Sequence, residues 1–120
     1  MIISNNDYDE IVACMQNYID GCNEGDPEKL KKAFHEEAWL NYVDADGKLV
    51  IERLDEDLFR KWTEGPRGDK IELRILSVAQ MGDVASVALR FGNNWLDFHS
   101  LVRVNGEWKS ISKTASHSSR

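Results

Sequence analysis

Two cysteines, two prolines and no long apolar run set the outer limits of this 120-residue chain. Cys14 and Cys22 lie eight positions apart on what reads as one helix, about 12 Å along its axis. A disulfide needs Cα atoms within about 7 Å, so this pair is not one. No Cys-x-x-Cys occurs, and His35, His99 and His117 share no ligand spacing, so no metal site is expected. Lys and Arg never gather beyond Lys31-Lys32, and the formal net charge is -6. The basic face that a nucleic-acid partner requires is missing. No stretch approaches the roughly 20 apolar residues that cross a bilayer, so no membrane association is expected. The opening Met1 to Asn6 has neither the basic region nor the apolar core of a signal peptide, and the expectation is a cytoplasmic protein. A glycine-rich phosphate loop and a serine-nucleophile motif are both lacking, so no cofactor is expected. Neither cysteine has a neighbouring base to activate it, which argues against covalent catalysis through a thiol.

What remains is a composition of 42% hydrophobic and 30% charged residues, the balance of one globular domain spanning 1–120. Asp7 and Glu10 make a capping-box-like start. Apolar residues then recur at Tyr8, Ile11, Val12, Met15, Ile19 and Cys22, with Tyr18 beside that stripe. This predicts a helix of about four turns that ends in the stretch Gly21 to Gly25. Asp26-Pro27 restarts a short helix carrying Leu30, Ala33 and Phe34 inward. A strand pair over Trp39–Val43 and Lys48–Arg53 follows, joined by Asp44-Ala45-Asp46-Gly47. Asp55 can cap a third helix with Leu58, Phe59 and Trp62 on one side, and Gly65 to Asp69 is a break.

From Lys70 onward the pattern is an antiparallel meander: Ile71–Val78, Val84–Phe91, Trp95–Val104 and Trp108–Thr114. Its turns are Met81-Gly82-Asp83, Gly92-Asn93-Asn94 and Asn105-Gly106, the last a strong hairpin signal. Residues 115–120 read as a loose polar tail. Helices first and an antiparallel sheet after them make an α+β fold, in which a bent sheet wrapped on helices leaves a small-molecule pocket.

The order Tyr18-Ile-Asp-Gly, Gly25-Asp26, Leu30-Lys-Lys-Ala-Phe-His35, Gly82-Asp-Val-Ala-Ser86, Asp97-Phe-His-Ser-Leu101 and Asn105-Gly-Glu-Trp-Lys109 resembles the nuclear-transport-factor-2-like superfamily. The resemblance is to its putative lumazine-binding and polyketide-cyclase-like branch and covers nearly the whole chain. It implies a cone-shaped, cystatin-like α+β fold, a homodimer formed through the sheet, and a pocket between sheet and helices. The superfamily contains isomerases, dehydratases and cyclases as well as non-catalytic scaffold proteins.

A two-residue Asn-Gly loop sets Arg103 opposite Trp108 and Leu101 opposite Ser110. Asp97, His99, Leu101 and Arg103 then share a face with Trp108, Ser110, Ser112 and Thr114. Phe98, Val102, Val104 and Ile111 fall on the other face with Lys109 and Lys113, and that apolar face suits a partner subunit. Asp97 and His99 stand about 6.5–7 Å apart on one face, where a carboxylate can orient an imidazole for general acid–base work. The same spacing also fits a hydrogen-bonded polar pair with no chemistry. His35, at the expected end of the second helix, is accounted for by the macrodipole, with a pocket role as the alternative. Tyr18, Phe34, Trp39, Tyr42, Phe59, Trp62 and Trp95 could wall an apolar cavity or simply fill the core. Lys113 reads as a solvated or interface charge. The functional expectation is a protein binding a small hydrophobic molecule above an Asp97/His99 floor, with Asp97 as base and His99 as acid or orienter if it isomerises, dehydrates or cyclises its ligand. The alternative is a non-catalytic dimerisation or adaptor domain with a filled cavity.

Overall fold

Helix α1 (Asn5–Glu24) buries Ile11, Cys14, Met15, Tyr18 and Ile19, and this spacing of three and four turns one face to the core. Tyr18 lies within that stripe at 1% exposure, whereas Tyr8 at its start is 42% exposed. The computed structural model describes residues 5–118. The helix runs through Gly21 and stops at Glu24, with Gly25 in the left-handed conformation (φ +67°) as its terminator. Gly21 is therefore a helix-interior residue and not the start of a turn. It is buried because a Cβ there would stand 2.9 Å from Leu30 Cγ and Cδ2. The absent side chain lets α2 (Pro27–Ala33) pack directly on α1.

Helix α2 has Pro27 in its first turn and Asp26 as N-cap, whose side chain accepts from Glu28 N at 3.0 Å. It ends one residue earlier than the apolar spacing predicts. Phe34 is already extended (φ -111°, ψ 137°) and opens strand β1 (Phe34–Val43). His35 therefore sits in a strand, where its Nδ1 accepts from Glu37 N at 3.0 Å, and the macrodipole account of it fails. Strand β2 (Leu49–Arg53), helix α3 (Glu56–Thr63, capped by Asp55 to Leu58 N at 3.1 Å), β3 (Leu73–Met81), β4 (Val84–Phe91), β5 (Trp95–Val104) and β6 (Glu107–His117) complete the chain. The expected loose tail from 115 is strand as far as His117, and residues 119–120 lie outside the described part.

The six strands form one curved sheet in the order β2-β1-β6-β5-β4-β3. All neighbours are antiparallel except β1 and β6, which pair in parallel. The Asn105-Gly106 turn sets Arg103 opposite Trp108 and Leu101 opposite Ser110, as the loop length requires. The ladder then slips: Ser100 pairs with Ser112, so Ile111 is an extra residue, a β-bulge. One extra residue exchanges the two faces for the rest of the strand. Lys113 and Ala115 turn inward and are buried, while Thr114 and Ser116 turn outward. The placement of Lys113 on the outer face, and of Ser112 and Thr114 with Asp97, is thereby overturned.

Gly21 permits a direct test of the helix packing. Alanine gains about 1 kcal/mol of helix propensity over glycine, but overpacking a closed contact costs about 1–3 kcal/mol. Leu30 is fully buried, so its side chain would have to shift within a close-packed interior. Gly21→Ala should therefore lower the urea midpoint; an unchanged or raised midpoint contradicts the direct α1–α2 contact.

Candidate functional site

Helices α1 and α3 stand off the sheet enough to leave a cavity of about 770 Å³. Its wall combines Tyr18 and Cys22 of α1, Leu40 and Tyr42 of β1, Trp62 of α3, Phe91 and Trp95 of the β4–β5 hairpin, and Lys113, Ala115 and His117 of β6. Lys61 and the exposed segment Glu64 to Asp69 supply the rim. That segment is tied to the end of α1: Arg67 Nη1 donates to Cys22 O at 2.9 Å, and Asn23 exchanges two hydrogen bonds with Ile71 (2.7 and 2.8 Å). The mouth is thus held by the helix C-terminus.

Four of the residues expected to contact a ligand, Tyr18, Tyr42, Trp62 and Trp95, line this cavity. Phe34, His35 and Phe59 line a second one of about 600 Å³ beside α2 and the β5–β6 turn. Trp39 lines neither; it is 41% exposed on the outer sheet face, under the Arg53 guanidinium at 5.1 Å. Asp97 and His99 are 0% and 1% exposed and are absent from the wall of either cavity. They lie behind the main wall, and Tyr18 and Lys113 stand between them and the cavity.

The cluster around Asp97 is drawn from three elements. Tyr18 Oη donates to Asp97 Oδ2 at 3.0 Å, His99 Nε2 lies 3.2 Å from the same oxygen, and Lys113 Nζ is 3.8 Å from it. Asp97 Oδ1 has no partner. His99 Nδ1 is 2.9 Å from Ser110 Oγ, which also lies 3.3 Å from Ser112 O. The single hydroxyl hydrogen serves one of these. Donation to His99 is the shorter contact, and it leaves Nε2–H free to donate to the carboxylate. A neutral His99 then satisfies the whole chain from Ser110 to Asp97.

Burial sets the proton affinities here. It lowers the pKa of His99 despite the hydrogen bond to Asp97, and it lowers that of Lys113 against the pull of Asp97. The Tyr18 hydroxyl is held well above its usual value by burial and by the adjacent Asp97 charge. Cys22 is pushed up to about 11 by burial, with Lys113 opposing, so its thiol stays protonated in the wall.

Lys113 is the group that sequence alternation missed. Its Nζ lies 5.1 Å from the ring centre of Trp62, 5.6 Å from Tyr18, 5.8 Å from Phe91 and 5.9 Å from Trp95. It is an amine enclosed by aromatic rings with one carboxylate behind it. The available signal was Ala115, the one apolar residue after Ile111, which shares the parity of Lys113 and not that of Ser112 and Thr114. Among the described residues no cluster of His, Cys, Asp or Glu could hold a metal ion, and no helix is long and apolar enough to cross a membrane.

Comparison with known proteins follows the same lines. The family model described as putative lumazine-binding matches residues 6–116. An aldolase of Cladobotryum sp., FrzH, is 26% identical over 116 residues, covering 92% of this chain and 91% of that one. The crystal structure of an NTF2-like protein of Shewanella baltica OS155 superposes with a TM-score of 0.84 at 24% identity, over 96% of each chain. That of a putative scytalone dehydratase of Novosphingobium aromaticivorans gives 0.68 at 19% identity, over 90% of this chain and 81% of that one. Carried by a match over almost its entire length, the chain belongs to the putative lumazine-binding family, and it has the fold of the NTF2-like proteins it superposes on.

Proposed function

We propose that this protein binds a small hydrophobic compound in the aromatic cavity and carries out proton-transfer chemistry on it. The observation that carries this reading is the Lys113–Asp97–Tyr18 cluster at the cavity wall. Burying a lysine and an aspartate together costs several kcal/mol of lost hydration, and an apolar pair of similar volume is often as stable or more so. A purely structural wall has no need of them. The volume is within the usual range for small-ligand sites, and apolar walls with a few convergent polar groups are their usual composition. In this reading Asp97 and His99 keep the acid–base roles their spacing suggested, but act through Tyr18 and Lys113. The names of the two relatives, an aldolase and a putative dehydratase, agree with carbonyl and hydroxyl chemistry in such a cavity.

A second reading rests on a different surface and is compatible with the first. The sheet face turned away from the helices exposes Trp39, Ile51, Met81, Val84 and Phe98, at 41% of their surface or more. Phe98 lies at its middle, flanked by the small residues Ala88 and Thr114 on the neighbouring strands. A flat apolar centre of this kind suits a second copy of the chain, so the protein is a homodimer through this face.

Three measurements test these readings. Titration with small aromatic aldehydes and ketones should quench tryptophan fluorescence saturably. Trp62→Leu, which removes one wall ring, should weaken the apparent Kd by about tenfold, the ~1.4 kcal/mol scale of an aromatic contact plus its buried area. Absence of saturable quenching across the set refutes the ligand-binding reading.

The charge state of His99 should show in stability. Because its folded pKa lies below the ordinary 6.5, the unfolded chain binds the extra proton first as pH falls. Stability therefore drops with decreasing pH, from about 6.5 down to the folded value. His99→Gln should flatten that dependence in urea midpoints compared between pH 7.5 and 5; equal slopes in both proteins would mean that folding leaves the proton affinity of His99 unchanged.

Phe98→Glu introduces a charge at the centre of the outer face. It should convert a dimer to a monomer in sedimentation while leaving the unfolding midpoint of the monomer near that of the parent. A parent protein that sediments as a monomer rules out the dimer outright.

A further inference from the structure

We propose that Lys113 is an amine nucleophile that condenses with the carbonyl group of an aldehyde or ketone held in the main cavity, forming a covalent iminium. The proposal rests on the ligand-binding reading above and names its substrate class.

The first support is position. Among the polar residues of the Asp97 cluster, Lys113 lines the cavity and carries an amine, the strongest nucleophile of the set. The second is the shape of its surroundings. Trp62, Tyr18, Phe91 and Trp95 surround Nζ at 5.1 to 5.9 Å. Aromatic faces stabilise a cation at this distance, and an iminium keeps its positive charge on that same nitrogen. The cage is therefore complementary to the condensed product and not only to the free ammonium. The third is the counter-charge. Asp97 Oδ2 at 3.8 Å is beyond hydrogen-bonding distance, close enough to take a proton from Nζ through a small movement, and not so close as to lock the ammonium in a bidentate pair. Burial lowers the proton affinity of Nζ, so the ammonium gives up the one proton that must leave before the amine can attack.

The step balances without any other reagent. The ammonium and the carbonyl compound give the iminium and one molecule of water. The C=O bond is replaced by C=N, and both hydrogens of the departing water come from the ammonium. Net charge stays at +1, and nothing is oxidised or reduced. Asp97 takes the first proton from Nζ and returns it toward the departing oxygen, with Tyr18 Oη, 3.0 Å from the same carboxylate oxygen, on that path. Once formed, the iminium withdraws electrons from the adjacent carbon. Proton removal or carbon–carbon bond exchange next to the former carbonyl is the chemistry it opens.

The test is trapping by cyanoborohydride. The wild-type protein is incubated at pH 7 with 2-naphthaldehyde or benzaldehyde and the reductant, and the product is read by intact mass and peptide mapping. The chain has eight lysines. The expected result is one adduct, of probe mass less one oxygen atom, formed on Lys113 at a rate about tenfold or more above any surface lysine, including Lys61 at the cavity rim. Lys113→Met and Lys113→Arg should abolish that adduct, and either folded variant suffices. Quenching of tryptophan fluorescence by the same aldehydes without reductant is measured in parallel. Saturable quenching with adducts spread over the surface lysines and none on Lys113 overturns the iminium proposal and leaves the ligand-binding reading standing. Absence of both quenching and a Lys113 adduct overturns the two together.

Discussion

The interior is organised around one carboxylate that has given up its water. Asp97 is fully buried near the centre of the sheet, and the groups that compensate it come from α1, from β6 and from its own strand. An ion placed there costs several kcal/mol unless donors meet it with good geometry. That requirement constrains the fold more tightly than apolar packing does. α1 must present Tyr18 at one height above β5, and β6 must present Lys113 opposite His99. Sliding the helix by one turn, or the strand by one residue, would leave a charge in the core with nothing to answer it.

The cavity follows from the same constraint. Tyr18 and Lys113 satisfy Asp97 from the cavity side, so that wall carries a phenol and an amine while the carboxylate and imidazole stay behind it. The result is a layered arrangement in which Asp97 and His99 lie behind Tyr18 and Lys113. Trp62 and Trp95 enclose the amine and at the same time line the space where a ligand would sit. Helix α3 is held by Phe59 in the core and by the Asp55 cap, which sets Trp62 over the sheet.

Much of the architecture is legible in the residue order because its signals are local. The Asp26-Pro27 and Asp55 caps, the Asn105-Gly106 turn and the alternation in β4 and β5 each act within a few residues, and the structure keeps them all. What sequence reasoning missed depends on contacts between distant segments. Phe34 continues the helical spacing of Leu30 but opens β1, because its place is beside Ser110 in the parallel ladder. Gly21 resembles a helix end, yet its lack of a side chain serves Leu30 nine positions later. The bulge at Ile111 carries no glycine or proline to mark it, and strict alternation beyond it puts Lys113 on the wrong side. The pairing of Asp97 with His99 is legible in their spacing, and the approach of Lys113 to them is hidden for that one reason.

The parallel pairing of β1 with β6 has a consequence for how the molecule assembles. β1 and β2 form a local hairpin, and β3 to β6 form a meander of successive neighbours, so each half can pair by short loops. The seam between them joins strands about seventy residues apart in the chain, as Asn41 and Thr114 do. Such long-range closure is the slow part of folding, since the intervening chain must be ordered before the contact repays it. It is also the event that brings β6, and with it the amine, under the first helix. The buried cluster around Asp97 is therefore completed only when this seam closes, and every partly folded form that precedes the closure lacks it.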